Sequence, residues 1–388
     1  MKRILACIAL VLGVAALIVF GFLPPWFEAQ SNKVTGPVPP APSPRAAALH
    51  KTLQIADMHA DTLLWRRDIL MRSHRGQVDL PRLRDGNVAL QIHSSVTKTP
   101  ANQNYDANGA DTDNITLLAI AQGQPNRTWT SLIERSLWHA EKLERAETRA
   151  DGRLRIVRTR NDLAQLLGDR ARGQTVTGIA LSVEGLHNIE GKRANLDRLF
   201  DAGFRMAGLA HFFDNELGGS MHGLKKGGLT PFGREIVRAM EAKGMVVDIA
   251  HSSHTAVADV LAMARRPVVS SHGGVQATCR VNRNLTDDEI RGIAKTGGVI
   301  GIGYWDAAVC DTSPAGIVRA IAHVRDLVGI DHVGLGGDFD GSVHTQFDTS
   351  RLDAVTQGLI DAGFSDGEIA KVMGGNVLRV LGQVLPLR

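Results

Sequence analysis

Hydrophobic and polar positions change rhythm along the chain, and each rhythm predicts an element. From Ile4 to Leu23 every residue is uncharged, and all twenty are apolar or glycine. At 1.5 Å per residue such a helix spans about 30 Å, the hydrocarbon thickness of a bilayer. Lys2 and Arg3 precede it, a charge order that keeps the N-terminus in the cytoplasm and sends the rest outward. An uncleaved signal-anchor and a cleaved secretory signal both fit residues 1–23. The run is long for a signal, and Pro24-Pro25-Trp26 offers no small-x-small cleavage site, which favours the anchor. Residues 24–48 carry seven prolines among small and polar residues, the composition of a semi-extended spacer.

From residue 49 to 388 the rhythm alternates. Short apolar, β-branched runs fall at Leu53–Met58, Val88–Ile92, Thr177–Val183, Arg205–Ala210, Met245–Ala250, Pro267–Ser271, Gly298–Gly303 and His332–Gly337. Continuous apolar runs suit parallel strands covered on both faces. Amphipathic stretches lie between them, such as Thr230–Lys243, Thr286–Lys295 and Ala315–Val328, and Thr286 with Glu289 reads as a capping box. Eight strand–helix units in 340 residues predict an α/β fold, a (β/α)8 TIM barrel with insertions. The polar stretch from Thr97 to about Thr130 is the expected insertion, a lid over the site.

Composition narrows the classes. The 388 residues are 44% hydrophobic, which excludes a wholly disordered chain. Lys and Arg number 44 against 40 Asp and Glu, a net +4 without a concentrated basic patch, so no nucleic-acid partner is expected. Three cysteines allow one bridge at most.

Candidate chemistry gathers at the strand ends. The first run closes with Asp57-Met58-His59-Ala60-Asp61, and later ones reach Glu184, His211, His251, His272 and Asp338. A barrel gathers its strand ends around one C-terminal mouth, so these groups are expected to converge. Imidazole and carboxylate together suit a divalent transition metal, zinc above all. His59 and Asp61, two apart, point the same way and reach one ion. His251 and His272, on adjacent strands, reach a second, with Glu184 as the candidate bridge between the two. Two such ions activate a water against a polarised carbonyl. A lone histidine is more often surface or satisfied core than ligand, the reading given to His50, His74, His139, His187, His222, His323, His332 and His344. His254, three past His251, is the competing ligand.

Asp57-Met58-His59-Ala60-Asp61, Val183-Glu184-Gly185, Asp248-Ile249-Ala250-His251, Ser271-His272, Arg283-Asn284 and Gly336-Gly337-Asp338-Phe339-Asp340-Gly341 together resemble the membrane dipeptidase (renal dipeptidase) family, metallopeptidase family M19. That family belongs to the amidohydrolase-like metal-dependent barrels, and the likeness covers roughly residues 53–385. It implies a dizinc metallo-dipeptidase in which His59 and Asp61 bind one Zn2+, His251 and His272 the other, and Glu184 bridges. It further implies that a metal-bridging hydroxide cleaves dipeptides with a free C-terminal carboxylate, a C-terminal D-residue included. His211 resembles the histidine that polarises the substrate, Arg283 the arginine that grips its carboxylate, and Asp338 the acid that moves the proton. Asp57 and Asp340 read as groups that orient their neighbours. Cys279 and Cys310 resemble the family's disulfide pair, with two free thiols as the alternative. Closing a loop of about 30 residues stabilises by about 3–4 kcal/mol in the chain-entropy model.

The resemblance also implies a membrane-anchored or exported enzyme on the extracytoplasmic (periplasmic) side and a homodimer. His93, Leu186 and the loop from Phe212 to Lys226 depart from the family pattern and bear on substrate choice. They keep open a second activity of the same type, hydrolysis of a cyclic or modified amide. A non-catalytic binding barrel is the further alternative, against which the complete ligand set argues.

Overall fold

The computed structural model describes residues 2–388; Met1, the first residue of the apolar segment, lies outside them. Nine strands run β1 (Ile55–Ala60), β2 (Val88–Val96), β3 (Leu154–Ile156), β4 (Thr177–Glu184), β5 (Phe204–Gly208), β6 (Val246–Asp248), β7 (Val268–Ser270), β8 (Val299–Ile302) and β9 (Val333–Leu335). Their order is β2-β1-β9-β8-β7-β6-β5-β4-β3, and a further β2–β4 pairing closes eight of them into a ring. Every pairing is parallel. The fold is the expected (β/α)8 barrel, and each of the eight runs read from the sequence overlaps one barrel strand.

The ninth strand was not among those eight runs. β2 occupies one edge of β4, so β3, beside Thr177–Ile179, and β5, beside Leu181–Val183, share the other. Leu154-Arg155-Ile156 is too short to show a period. β2 also runs past Ile92 to Val96. Its polar Ser95 stays inside because the hydroxyl lies 2.9 Å from Ser136 Oγ and 2.8 Å from His139 Nδ1.

Outside the strands lie helices such as Pro231–Lys243, Asp287–Lys295 and Pro314–Val328. Thr286 and Glu289 form the reciprocal capping box expected of them. The last helix, Asn376–Val384, plugs the N-terminal end of the barrel. Its Val377, Val380 and Val384 pack with Ala56, Met58, Val246 and Val299, and Asn376 Nδ2 donates to the carbonyls of Ile330 and Val333. The opposite mouth is left for the chemistry. There the backbones close tightly: a Cβ on Gly336 would lie 2.0 Å from the Ser271 carbonyl oxygen, so no other residue fits without moving the strand ends.

The N-terminal segment forms one helix over Lys2–Ser31, with a mean hydropathy of 2.9 over an 18-residue stretch of it, long and apolar enough to cross a membrane. The stretch expected to be an open spacer differs from that expectation. Pro24 and Pro25 fall inside that helix, at the start of its last stretch, Leu23–Ser31, just after the π-helical turn Leu17–Phe22, and Pro44 opens a second helix, Pro44–Thr52, capped by Ser43. Between them the chain is bound to the barrel: Thr35 N donates to Thr345 O at 2.8 Å, and Thr345 N to Lys33 O at 3.1 Å. Cys279 and Cys310 are bonded to each other, with their Cα atoms 5.4 Å apart.

Candidate metal centre

Each candidate ligand leaves its strand at the same end of the barrel. His59 lies in β1 and Asp61 just beyond it; Glu184 ends β4; His211, His251, His272 and Asp338 follow β5, β6, β7 and β9 within three residues. The turns that aim them are tight, and His251 and Asp338 adopt left-handed backbone at φ 64° and 54°. Such strain in non-glycine residues costs on the order of 1–3 kcal/mol each and collects at functional sites.

Glu184 is the hub. Its Oε1 lies 2.9 Å from His251 Nε2, 3.2 Å from His272 Nε2 and 3.7 Å from His59 Nε2. Its Oε2 lies 3.4 Å from His211 Nε2. On the other flank His59 Nε2 stands 3.5 Å from Asp61 and 3.8 Å from Asp338. Three overlapping trios therefore hold their donor atoms within 4.8 Å: His59, Glu184 and His272; Glu184, His211 and His251; His59, Asp61 and Asp338. His211 and Asp338 thus stand as close to a cation position as the residues expected to be ligands.

Electrostatics say what such a cluster needs. Burial, and then the Asp61 charge, push the Glu184 carboxyl well above its ordinary range. Burial raises Asp338 to about 8. For His59 burial opposes the charge, but the carboxylates of Glu184, Asp61 and Asp338 outweigh it and raise the imidazole to about 10. That negative field is one a cation relieves. His211, His251 and His272 are held well below the usual imidazole value, chiefly by burial, and present neutral rings with a free lone pair. The Nε2 atoms of His251 and His272 face each other at 2.9 Å. His59 Nε2, Asp61 Oδ1, His211 Nδ1 and His251 Nδ1 are buried without a hydrogen-bond partner. Orphaned donors and acceptors in that number fit divalent metal ions, and the mixed nitrogen–oxygen set fits a transition metal.

Two carboxylates that do not face the cluster hold it in shape. Asp57 accepts from His59 N at 3.0 Å, Gly337 N at 3.0 Å and Tyr304 Oη at 3.1 Å, tying the ends of β1 and β9 together. Asp248 accepts from Ala250 N at 3.0 Å, Ser271 N at 2.9 Å and Ser271 Oγ at 2.5 Å. Ser271 Oγ in turn lies 2.8 Å from His272 Nδ1. Asp57 reads from the sequence as an orienting group; Asp248 does not, although Asp-x-x-His and Ser-His are there to be read. Asp340 likewise turns away, accepting from Gln77 N at 2.6 Å and Thr62 Oγ1 at 2.8 Å.

The cluster floors a cavity of about 500 Å3. Asp61, Glu184, His211, His251, Arg283 and Asp338 line it, while His59 and His272 lie deeper. Arg283 donates through Nη2 to His272 O at 2.7 Å and sits over the Trp305 ring at 5.8 Å. Thr99, Gln103, Tyr105, Ile115 and Leu118, from the insertion expected as a lid, wall one side.

Two sequence readings change. His254 is not drawn to the cluster, because its Nδ1 lies 2.6 Å from Glu289 Oε1 at the start of a neighbouring helix. His93 is mid-strand rather than at a strand end, because β2 continues to Val96. It is buried, and burial followed by the positive charge of Arg67 holds it down to about 3. It does not line the cavity.

A sequence profile of the membrane dipeptidase family (Peptidase family M19) matches residues 43–387. The dipeptidase aclJ of Aspergillus oryzae is 31% identical over 352 residues, 85% of this chain and 78% of that protein. An uncharacterized dipeptidase of Schizosaccharomyces pombe is 30% identical over 79% of this chain and 72% of its own. Among solved structures, the probable dipeptidase PvdM of Pseudomonas aeruginosa superposes with a TM-score of 0.74 at 21% identity, covering 88% of this chain and 99% of that one. A metallopeptidase of Rhodobacter sphaeroides, bound to a phosphinate mimic of the dipeptide L-Ala-D-Ala, superposes at 0.69 with 22% identity over 86% and 99%.

Proposed function

The chain belongs to the membrane dipeptidase family, peptidase family M19, and from that premise we propose that this metal-dependent dipeptidase uses two zinc ions to cleave dipeptides with a free C-terminal carboxylate, a C-terminal D-residue included. His59 and Asp61 would hold one ion and His251 and His272 the other, with Glu184 serving both. Bound there, the ions supply Lewis acidity to the scissile carbonyl and lower the pKa of a water.

The chain's own groups do the rest. The planar guanidinium of Arg283 matches a carboxylate bidentately and fixes one end of the substrate. That places the amide over Glu184. His211, a neutral buried imidazole, donates to the carbonyl oxygen as charge develops on it. Asp338 takes the proton of the attacking water and delivers it to the leaving nitrogen, a task suited to a carboxyl whose proton affinity is raised into the neutral range. The D-residue is suggested by the phosphinate of L-Ala-D-Ala bound to the Rhodobacter sphaeroides protein. The N-terminal helix serves as an anchor that puts the barrel on the extracytoplasmic side.

One observation carries the reading: Glu184 within 3.7 Å of four imidazoles at the floor of a cavity that also receives Arg283. The test is amino-acid release by the zinc-loaded full chain from a panel of L,L and L,D dipeptides. Cleavage that a chelator abolishes and zinc restores is expected. Turnover on none of them, or turnover indifferent to chelation, ends the reading.

A further inference from the structure

The cavity has a wall from an unexpected place. Phe27 and Ser31, one helical turn apart at the end of the N-terminal helix, line the same cavity as Asp61 and Glu184. The helix end is held there firmly. Glu28 is buried, with its carboxylate 2.5 Å from Arg67 Nε and 2.7 Å from Arg75 Nε. One turn on, Asn32 Oδ1 accepts from Ser342 N at 2.8 Å. The segment is therefore bonded to the rim loop that begins at Asp338.

Phe27 packs against Trp65, their ring centres 6.0 Å apart. Trp65 is closed in below, with its Nε1 donating to Asp340 O at 2.8 Å. Phe27 is different: it remains 48% exposed although it is a large apolar ring in a cavity wall. Leu118 and Ile115 continue the same apolar surface. A half-covered aromatic beside convergent polar groups is the surface an apolar ligand group covers.

The direction of the substrate follows from a chain of contacts. Arg283 Nη2 lies 3.4 Å from His251, His251 lies 2.9 Å from Glu184, Glu184 lies 3.7 Å from His59, and His59 lies 3.5 Å from Asp61. Trp65 follows one short turn beyond Asp61, and Phe27 packs against it. Arg283 and Phe27 thus lie at the two ends of this series of contacts along one cavity. A dipeptide with its carboxylate on Arg283 directs its amino-terminal residue toward Phe27.

We propose that Phe27 is a specificity-determining residue, forming with Trp65 and Leu118 a pocket that receives the side chain of the substrate's amino-terminal residue and favours an apolar one. The proposal rests on the dipeptidase reading and on the seat it gives the carboxylate. It makes the membrane-proximal turn part of the substrate site rather than a tether.

The experiment uses the full chain, detergent-solubilised and zinc-loaded. It measures kcat/KM for dipeptides with Gly, Ala, Leu or Phe at the amino end and one fixed carboxyl-terminal residue. The unmodified enzyme is expected to prefer Leu and Phe over Gly. Phe27→Ala is expected to cut the Leu-to-Gly ratio about tenfold, the worth of a lost apolar contact in a binding pocket, with Phe27→Leu recovering most of it. Trp26→Ala, on the neighbouring outward position, is expected to keep the ratio. An unmodified enzyme with no apolar preference overturns the proposal, as does a Phe27→Ala protein of unchanged thermal midpoint and unchanged ratio; either result leaves the dipeptidase reading standing. Failure of the unmodified enzyme on every dipeptide sinks both.

Discussion

Arg67 is hydrogen-bonded to Asp340 in the interior of the protein, two residues from Asp338. Its Nε meets Glu28 of the N-terminal helix. One guanidinium thus joins the helix end, the rim loop and, through its bond to Val78 O, the segment before the first barrel helix. All three charged groups are buried. Removing the cation leaves the buried Asp340 without a counter-charge and Glu28 with Arg75 alone, which costs about 3–5 kcal/mol. Arg67→Met is expected to lower unfolding stability by that amount in urea titration. Glu28→Gln, which leaves Arg67 its partner Asp340, is expected to cost about 1–2 kcal/mol. A change below 1 kcal/mol in Arg67→Met shows that the junction does not hold the rim.

The second prediction concerns a residue that touches no candidate ion. Ser271 Oγ donates to Asp248, so toward His272 Nδ1 it acts as acceptor. That fixes the proton on Nδ1 and leaves the Nε2 lone pair facing Glu184. An amide at position 248 can donate to Ser271 Oγ instead, freeing the hydroxyl to donate to Nδ1 and favouring the wrong tautomer. Asp248→Asn is expected to weaken metal retention about 10–100-fold, the usual cost of losing a group that orients a ligand. Metal content after dialysis against graded chelator measures it, and unchanged retention refutes the tautomer argument.

How much of this was legible beforehand follows from where the information lies along the chain. His59, Glu184, His251, His272 and Asp338 could be read because each follows an apolar run, and a barrel turns run ends into one mouth. The partners of those residues were harder. Asp57 could be read as an orienting group from the motif around it, but Asp248 looks like an ordinary strand residue until its hydrogen bond to the backbone at the neighbouring strand end is seen. The Glu28–Arg67–Asp340 junction joins positions some three hundred residues apart, and no local period encodes it. Prolines misled for a physical reason: at 24 and 25 they fall inside a helix, just after its π-helical turn, so composition suggested a spacer where geometry made a wall. His254 failed as a ligand because a nearer carboxylate, Glu289, claimed it.

That pair gives a pH signature. The side-chain bond to Glu289 raises His254 above the ordinary imidazole value of 6.5. For Glu289, burial alone would raise the carboxyl, but hydrogen bonds from His254 and Thr286 outweigh it and lower it below 4.5. A raised imidazole contributes stability that is complete below 6.5 and is lost as pH rises through the folded value. A depressed carboxyl contributes stability that is complete above 4.5 and is lost as pH falls through the folded value. Both contributions coexist between these limits. His254→Ala is therefore expected to lower the thermal midpoint at about pH 5.5 and to lower it less at about pH 9, because the charge-dependent stabilisation is lost as pH rises through the raised value. An equal deficit at both values shows that the residue acts by packing alone.

The last prediction separates recognition from chemistry. Arg283 is buried, one of its N–H groups is committed to the His272 carbonyl, and its planar guanidinium lies over the Trp305 ring. If it seats the substrate carboxylate, its fork geometry matters as much as its charge. Arg283→Lys keeps the charge and loses the fork. Leaving a carboxylate with an ill-fitting partner in a desolvated site costs about 2.7 kcal/mol, roughly a 100-fold fall in kcat/KM. The same variant is expected to lose far less on dipeptide amides, which carry no carboxylate to seat. Steady-state kinetics on each acid and its amide give the comparison. Parallel losses on both would assign Arg283 to holding His251 and His272 in place instead of holding substrate.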